Sequence, residues 1–350
     1  MSQHIIYSNQ VDATLSAVIE GGNYHNVAVL VDQNTRQHVL PMLASRLEKA
    51  MVIEIPAGDE HKTLNSLISV WEALESCGAT RQSLLVNLGG GMVTDLGGLA
   101  AATFKRGIAC VNVPTTLLGA VDAAVGGKTG INFMGLKNEI GTFAPARHVI
   151  VSTCFFSTLR HEDILSGYAE MLKHAMLNSR HEFTALLDQD LNATDSDHLL
   201  ERLKASVKIK EDIVNKDPTE QGLRKALNLG HTVGHALESH ALETGSPVAH
   251  GYAVAWGLVV ETVLSHMILG FPSDDLYALA SFVKQNYGAP SVTCEHYDRL
   301  IALMRHDKKS AAGEINCTLL RQCGEPTINN KIDVDSLQSA LDIMRDLLGV

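Results

Sequence analysis

The stretch KALNLGHTVGHALESH, residues 225–240, holds His231, His235 and His240. His231 and His235 are four apart, so on a helix they share one face. Two imidazoles so placed serve as metal ligands, as a proton relay, or as ordinary surface groups. Arg224, Asn228, His231 and His235 recur at +4, +7 and +11, which predicts a single polar helix face. Solvated stripes favour Lys and Glu, whereas this one offers directional donors and ligands, so it is expected to line a site. Lys210 and Asp217 precede it. Glu170, in GYAEMLKHAML with Lys173 and His174, supplies a carboxylate; His250 opens HGYAVAWG. Glu170 and Lys173 also read as a simple i,i+3 pair. Glu170, His231 and His250 together make two imidazoles and one carboxylate, the composition of a catalytic zinc site with an open position. Their spacing fits no short metal motif, and His231 with His235 forms an HxxxH pair of its own. HExxH is absent, so a zincin protease is not indicated.

A second constellation lies earlier. LLVNLGGGMVTDLGG ends a strand in three glycines and opens a helix. Glycines there let the backbone approach a pyrophosphate, and the helix N-terminus favours its charge. The spacing differs from GxGxxG, and a tight glycine turn accounts for it equally well. Asp32, at the carboxyl end of the first strand, is placed to accept from ribose hydroxyls. Asp95 lies near the helix start, where it also fits the dipole. Lys128 in AVGGKTGI and Lys137 with Asn138 in GLKNE sit on two expected glycine-rich loops, as phosphate-binding ammonium groups do. HDKKSAAGEINCTLLRQCG carries Asp307, Lys308 and Lys309 ahead of an expected hairpin; alone it reads as a charged turn.

The elements that must position these groups change along the chain. Strands are predicted over 26–32, 51–56, 83–91 and 108–114. They alternate with helices over 36–49 (with Pro41 in a first turn or kink), 64–78 and 93–104. This alternation implies βαβ units and a largely parallel sheet. Residues 121–141 form a glycine-rich connection of little periodicity. After Val151 helical periodicity dominates. The boundary is placed at 152, with an α/β domain over 1–152 and a helical domain over 153–350.

The bulk numbers fit a globular enzyme: 350 residues, 45% hydrophobic, net charge −11. That charge argues against nucleic-acid and anionic-membrane binding, so an anionic ligand needs a local cluster of Lys and Arg. Six scattered cysteines, none in CxxC, point to reduced thiols. No secretory signal is visible, and the apolar run YAVAWGLVV is short for a membrane span. The expected compartment is the cytoplasm.

The order of motifs from Asp32 to Leu320 is specific. PAGDEHKT, NLGGGMVTDLGGLAAATFKRG, VPTTLLGAVDAAVGGKTGIN, LKNEIG, GYAEMLKHAML, KDPTEQGLRKALNLGHTVGHALE, HGYAVAWG and HDKKSAAG together resemble the 3-dehydroquinate synthase family of the sugar phosphate cyclases. The resemblance implies an N-terminal Rossmann-like nucleotide-binding domain and an all-α C-terminal metal-binding domain, with the active site between them. It implies zinc or cobalt on Glu170, His231 and His250. It implies NAD on Asp32, Asn34, Asp59, Lys62, Gly90, Gly91, Asp95, Thr115 and Thr116. Asp122, Glu170, Lys173, Lys210 and Asn228 would surround the ring hydroxyls and carboxylate, with Arg224 as a carboxylate fork. Lys128, Asn138, His235 and Lys308 or Lys309 would hold the phosphate; Lys137 lies in the same motif. Arg106 would be donated across a homodimer interface. The implied reaction converts 3-deoxy-D-arabino-heptulosonate 7-phosphate to 3-dehydroquinate. It runs through transient oxidation by NAD, β-elimination of phosphate, re-reduction, ring opening and aldol closure.

Five positions depart from the family pattern: Asp59 for Glu in GExxK, Thr94 for Gly in GGGxxGD, Ala123 and Ala124 for the serines of VDSS, and Tyr252 for the acid of HGEAV. Three other functions fit parts of the pattern. One is a cyclase of sedoheptulose 7-phosphate or a hexose 6-phosphate. Another is a metal-dependent polyol dehydrogenase, and the third is a catalytically inactive sensor. The expected carboxylate pocket of Lys210, Arg224 and Asn228 argues against the first. The lysine set argues against the second, and the complete ligand set against the third.

Overall fold

The computed structural model describes residues 3–43, 47–134, 136–189, 191, 196–306 and 314–350. Its contacts divide it into two compact units. Unit 1 comprises 1–160 with 194–211, and unit 2 comprises 161–193 with 212–350. Compared with a single division at 152, the chain crosses somewhat later, and residues 194–211 return to unit 1.

Among the described residues of unit 1, six strands form one parallel sheet. They are β1 (His4–Tyr7), β2 (Val27–Asp32), β3 (Met51–Ile55), β4 (Leu84–Gly89), β5 (Ala109–Pro114) and β8 (His148–Val151), in the order β1-β8-β5-β4-β2-β3. The central strand β4 is buried at every residue, as expected for a parallel sheet covered on both faces. Its one polar side chain, Asn87, donates to Asn112 Oδ1 at 2.8 Å on β5, while its own Oδ1 is buried with no hydrogen-bond partner among the described residues. Helix Gly91–Thr103 packs on this strand through Gly97, where a Cβ would come within 2.0 Å of Asn87 Oδ1.

Two local expectations differ. The run over 36–49 is not one helix. Helix Gln33–His38 is followed by a 3-10 turn, Leu40–Leu43, that contains Pro41. Proline lacks the N–H that a continuous helix needs there. The glycine-rich connection is not a loop but an antiparallel hairpin, β6 (Lys128–Phe133) with β7 (Leu136–Phe143). Gly130 faces Gly141, where a Cβ would lie 1.9 Å from Thr129 O. The glycines therefore bring the two backbones together, and in doing so they erase the alternation by which a strand is read.

Among its described residues, unit 2 is helical apart from one hairpin, β9 (Ile315–Leu320) with β10 (Pro326–Ile332). Its centre is helix His250–Leu269, buried at Ala253 through Ser265. This helix passes the length and apolarity test for a membrane span, more than the run 252–260 predicts, but 72% of the span is buried within the fold, as in a core helix. Two glycines set its neighbours. A Cβ on Gly251 would meet Ser166 O at 2.1 Å, and one on Gly257 would meet Gly230 O at 2.0 Å. Helix His161–Asn178 and helix His231–Glu243 therefore press against its first turns. Glu170, His231 and His250 are brought together by this packing.

Candidate functional site

In unit 1 the nucleotide-binding candidates gather at the carboxyl ends of β2, β4 and β5. Helix Gly91–Thr103 begins after Gly90 with no side-chain cap. Its first amides are thus available to an anion. Around Gly90 and Gly91 the space is tight: added Cβ atoms would lie 3.2 Å from Thr116 Cγ2 and 3.1 Å from the Ala123 methyl. Thr115 continues the strand end, donating its N–H to Gly89 O at 3.0 Å. The Thr116 hydroxyl accepts from Gly119 N–H at 3.0 Å. Thr94 is accommodated in place of glycine because its hydroxyl donates back to Gly91 O at 3.1 Å. Asp32 caps helix Gln33–His38 by accepting from Thr35 N–H at 2.7 Å, and Asn34 is exposed on that helix.

Lys62 is buried, and its ammonium donates to Asp95 Oδ2 at 3.0 Å and to Asn138 Oδ1 at 2.5 Å. Burial raises the pKa of Asp95, and Lys62 works against that rise. Asp59 lies 3.7 Å from Lys62 and 3.6 Å from Lys137. Glu60 points to solvent with a side chain 74% exposed, so Asp59 is the acid that faces Lys62 and Lys137. Asn138 and Lys137, expected at phosphate, here adjoin the nucleotide-side residues Lys62 and Asp59. Lys128 and Lys137 lie on the strands of the hairpin rather than on loops.

Asn132, which ends the VPTTLLGAVDAAVGGKTGIN motif but has no role assigned there, ties these parts together. Its backbone N–H donates to Lys62 O at 2.7 Å, and its amide donates to Asp59 O at 2.9 Å and Oδ2 at 3.2 Å. Asn138 N–H in turn donates to Asn132 Oδ1 at 2.9 Å. Also in unit 1, Lys210 donates to Asp122 Oδ1 at 2.5 Å. Arg106 is exposed on a turn where Lys105 and Arg106 have φ of 48° and 67°, a left-handed backbone uncommon outside glycine.

In unit 2, Glu170 Oε1 lies 3.3 Å from His231 Nε2 and 3.6 Å from His250 Nε2. All three ligand atoms fall within 4.8 Å of one another. Two ligands each about 2.0–2.1 Å from one tetrahedral metal are about 3.3–3.4 Å apart, so the set fits a zinc-sized cation. The other nitrogens are also held. His231 Nδ1–H donates to Leu229 O at 3.1 Å, and His250 Nδ1 lies 3.2 Å from Glu238 Oε2. Such contacts turn Nε2 toward the metal position. The second oxygen of Glu170 is bonded by Lys173.

The electrostatics follow from that packing. Burial alone would raise the pKa of Glu170, but Lys173 and His231 hold it well below the usual range. Burial, then Lys173, push His231 down to about 4. At His250 burial acts in the same direction but is outweighed by Glu170 and Glu238, which lift it to about 10. Metal binding at these groups therefore competes with protons.

The single polar helix face is corrected. Arg224 and Asn228 lie on a 3-10 turn, Leu223–Asn228, and Gly230 at φ 78° breaks the chain before helix His231–Glu243. Only His231 and His235 share the helix, with ring centroids 5.3 Å apart. Arg224 is buried and donates to Pro218 O at 2.7 Å; Asn228 donates to Glu220 Oε1 at 3.3 Å. Asp217 organises this turn by accepting from Gly222, Gln221 and Arg224 N–H groups at 2.7–3.1 Å, which lowers its pKa. Tyr252 packs its ring 5.2 Å from that of Tyr287, so the acid beside His250 is Glu238 instead. Glu238 stands seven residues after His231, a spacing that keeps it on the same helix face. Lys308 and Lys309 lie outside the described residues.

The fold is that of the sugar phosphate cyclases. It superposes on 2-deoxy-scyllo-inosose synthase complexed with carbaglucose-6-phosphate, NAD+ and Co2+ with a TM-score of 0.85 at 22% identity, covering 98% of this chain and 96% of that one. The 2-epi-5-epi-valiolone synthase from Streptomyces hygroscopicus subsp. jinggangensis 5008, with NAD+ and Zn2+ bound, gives 0.84 at 23% identity, covering 99% and 97%. Residues 52–166 match the N-terminal model of 3-dehydroquinate synthase and residues 167–310 the C-terminal model. A 3-dehydroquinate synthase of Parabacteroides distasonis is 44% identical over 350 residues, 99% of each chain. The chain belongs to the 3-dehydroquinate synthase family.

Proposed function

We propose that this protein converts 3-deoxy-D-arabino-heptulosonate 7-phosphate to 3-dehydroquinate and phosphate, as a lyase-type cyclase that depends on NAD and on zinc or cobalt. The 44% identity over the whole length to a 3-dehydroquinate synthase carries the activity. The convergence of Glu170, His231 and His250 supports the metal.

When bound, NAD supplies a reversible hydride acceptor, and the metal supplies Lewis acidity toward neighbouring hydroxyls. The side chains do the rest. Glu170, His231 and His250 hold the cation, and Lys173 keeps Glu170 ionised. Asp32 and Asp95 accept from ribose hydroxyls; the amides after Gly90 face the pyrophosphate. Asn34, Asp59, Lys62, Thr115 and Thr116 complete that pocket. Lys128, Asn138, His235 and Lys308 or Lys309 bind the substrate phosphate. Arg224, Lys210 and Asn228 take its carboxylate, with Asp122 and Lys173 at the ring hydroxyls. The substrate phosphate itself assists proton removal, so no single side chain is assigned as the base. A cytoplasmic homodimer, with Arg106 donated across its interface, completes the proposal; free thiols at all six cysteines accord with that compartment.

The test is an assay of phosphate release from 3-deoxy-D-arabino-heptulosonate 7-phosphate, with sedoheptulose 7-phosphate in parallel. Turnover of the first substrate alone is expected. Release from the second alone would assign the chain to another cyclase activity and remove the carboxylate roles of Arg224, Lys210 and Asn228.

A further inference from the structure

At the amino ends of β1 and β8, His4 and His148 stand opposite each other in register, with their Nδ1 atoms 3.3 Å apart. They border an open, shallow depression of the surface. Arg147 and Tyr24 line it too, with the guanidinium donating to the Tyr24 hydroxyl at 3.4 Å. Ile6 and Val18 supply apolar wall. In a chain of net charge −11, none of the described residues that line the depression is Asp or Glu. Among the described residues no carboxylate pairs with Arg147. Because the strands run parallel, the depression lies at the end of the sheet opposite the loops that follow β2, β4 and β5.

Two histidines at this spacing could take a transition metal, but a neighbouring guanidinium and the lack of any carboxylate disfavour a cation. The same features favour an anion. We infer that the depression binds a small organic carboxylate, its charged end on Arg147 and the histidine pair and its apolar body against Ile6 and Val18. A guanidinium fork matches a planar carboxylate. Burial, then the neighbouring His4 and Arg147, lower the pKa of His148. An anion in the depression would offset the two charged-neighbour effects.

The experiment is calorimetric titration of the full chain with benzoate and, separately, with inorganic phosphate. Arg147→Gln and His148→Gln variants test the depression, and a His231→Ala variant marks the metal site. Saturable benzoate binding is expected. It should weaken by about tenfold or more in Arg147→Gln, consistent with the loss of a charged hydrogen bond, weaken also in His148→Gln, and persist in His231→Ala. Three results would overturn the inference: no saturable benzoate binding, binding lost only in His231→Ala, or phosphate binding at this depression without benzoate binding.

Discussion

Glu238 Oε2 sits 3.2 Å from His250 Nδ1, on the same helix that presents His231. One helix thus provides both a metal-ligand candidate and the carboxylate that orients another. Partners of this kind typically contribute about 10–100-fold to metal affinity. Glu238→Ala is therefore expected to weaken zinc binding by about that factor in a chelator competition, with Glu238→Gln closer to the parent. Equal affinities for all three proteins would mean that His250 is oriented by other means.

Lys173 and Glu170 form an ion pair with both side chains at most 2% exposed. Removing one partner of a buried pair leaves an uncompensated charge and typically costs about 3–5 kcal/mol. Lys173→Met should destabilise the metal-free protein by roughly that amount in urea unfolding. Zinc should restore part of the loss, because a cation on Glu170 replaces the missing charge. A variant as stable as the parent without metal would contradict the pairing.

Asn132 clamps the Asp59–Lys62 turn to the hairpin through its hydrogen bonds to Asp59 and Lys62. Deleting its amide should lower NAD affinity about fivefold, the effect of about 1 kcal/mol. Isothermal titration of Asn132→Ala with NAD measures this directly. Unchanged affinity would show that the turn holds its shape unaided.

His240 is 6% exposed, and neither ring nitrogen has a hydrogen-bond partner among the described residues. Burial, then His296 at a ring distance of 4.7 Å, lower its pKa; Glu243 opposes and Arg299 reinforces the shift. A depressed folded-state value means that the unfolded chain binds the proton more readily. Stability is therefore fully present above the unfolded value of about 6.5 and declines as pH falls below it. His240→Phe, which removes the titrating group, should show a shallower loss between about pH 7.5 and about pH 5. Parallel slopes for the two proteins would exclude His240 as a contributor.

Much of this arrangement was legible in the sequence, and the exceptions have physical causes. The strand and helix around Gly89–Gly91 follow from a buried apolar run that meets a glycine turn. The candidate ligand set followed from its residue types and the motif order, not from spacing. Period counting failed between Asn228 and His231, because Gly230 takes a left-handed conformation that the count ignores. The hairpin over 128–143 was hidden by the glycines that let its strands approach. β1 is only four residues long, too short to carry a pattern. Glu238 has the right spacing, but a surface glutamate would look the same; only its contact with His250 distinguishes it.

The central claim is tested most directly by running the reaction with NAD well below the substrate concentration. The purified protein, zinc or cobalt and 3-deoxy-D-arabino-heptulosonate 7-phosphate would be incubated while phosphate, dehydroquinate and NADH are followed together. The account predicts equimolar phosphate and dehydroquinate, many turnovers per NAD, and no net NADH. Phosphate release that stops after one equivalent of NAD, with NADH accumulating, would contradict it and identify a dehydrogenase instead.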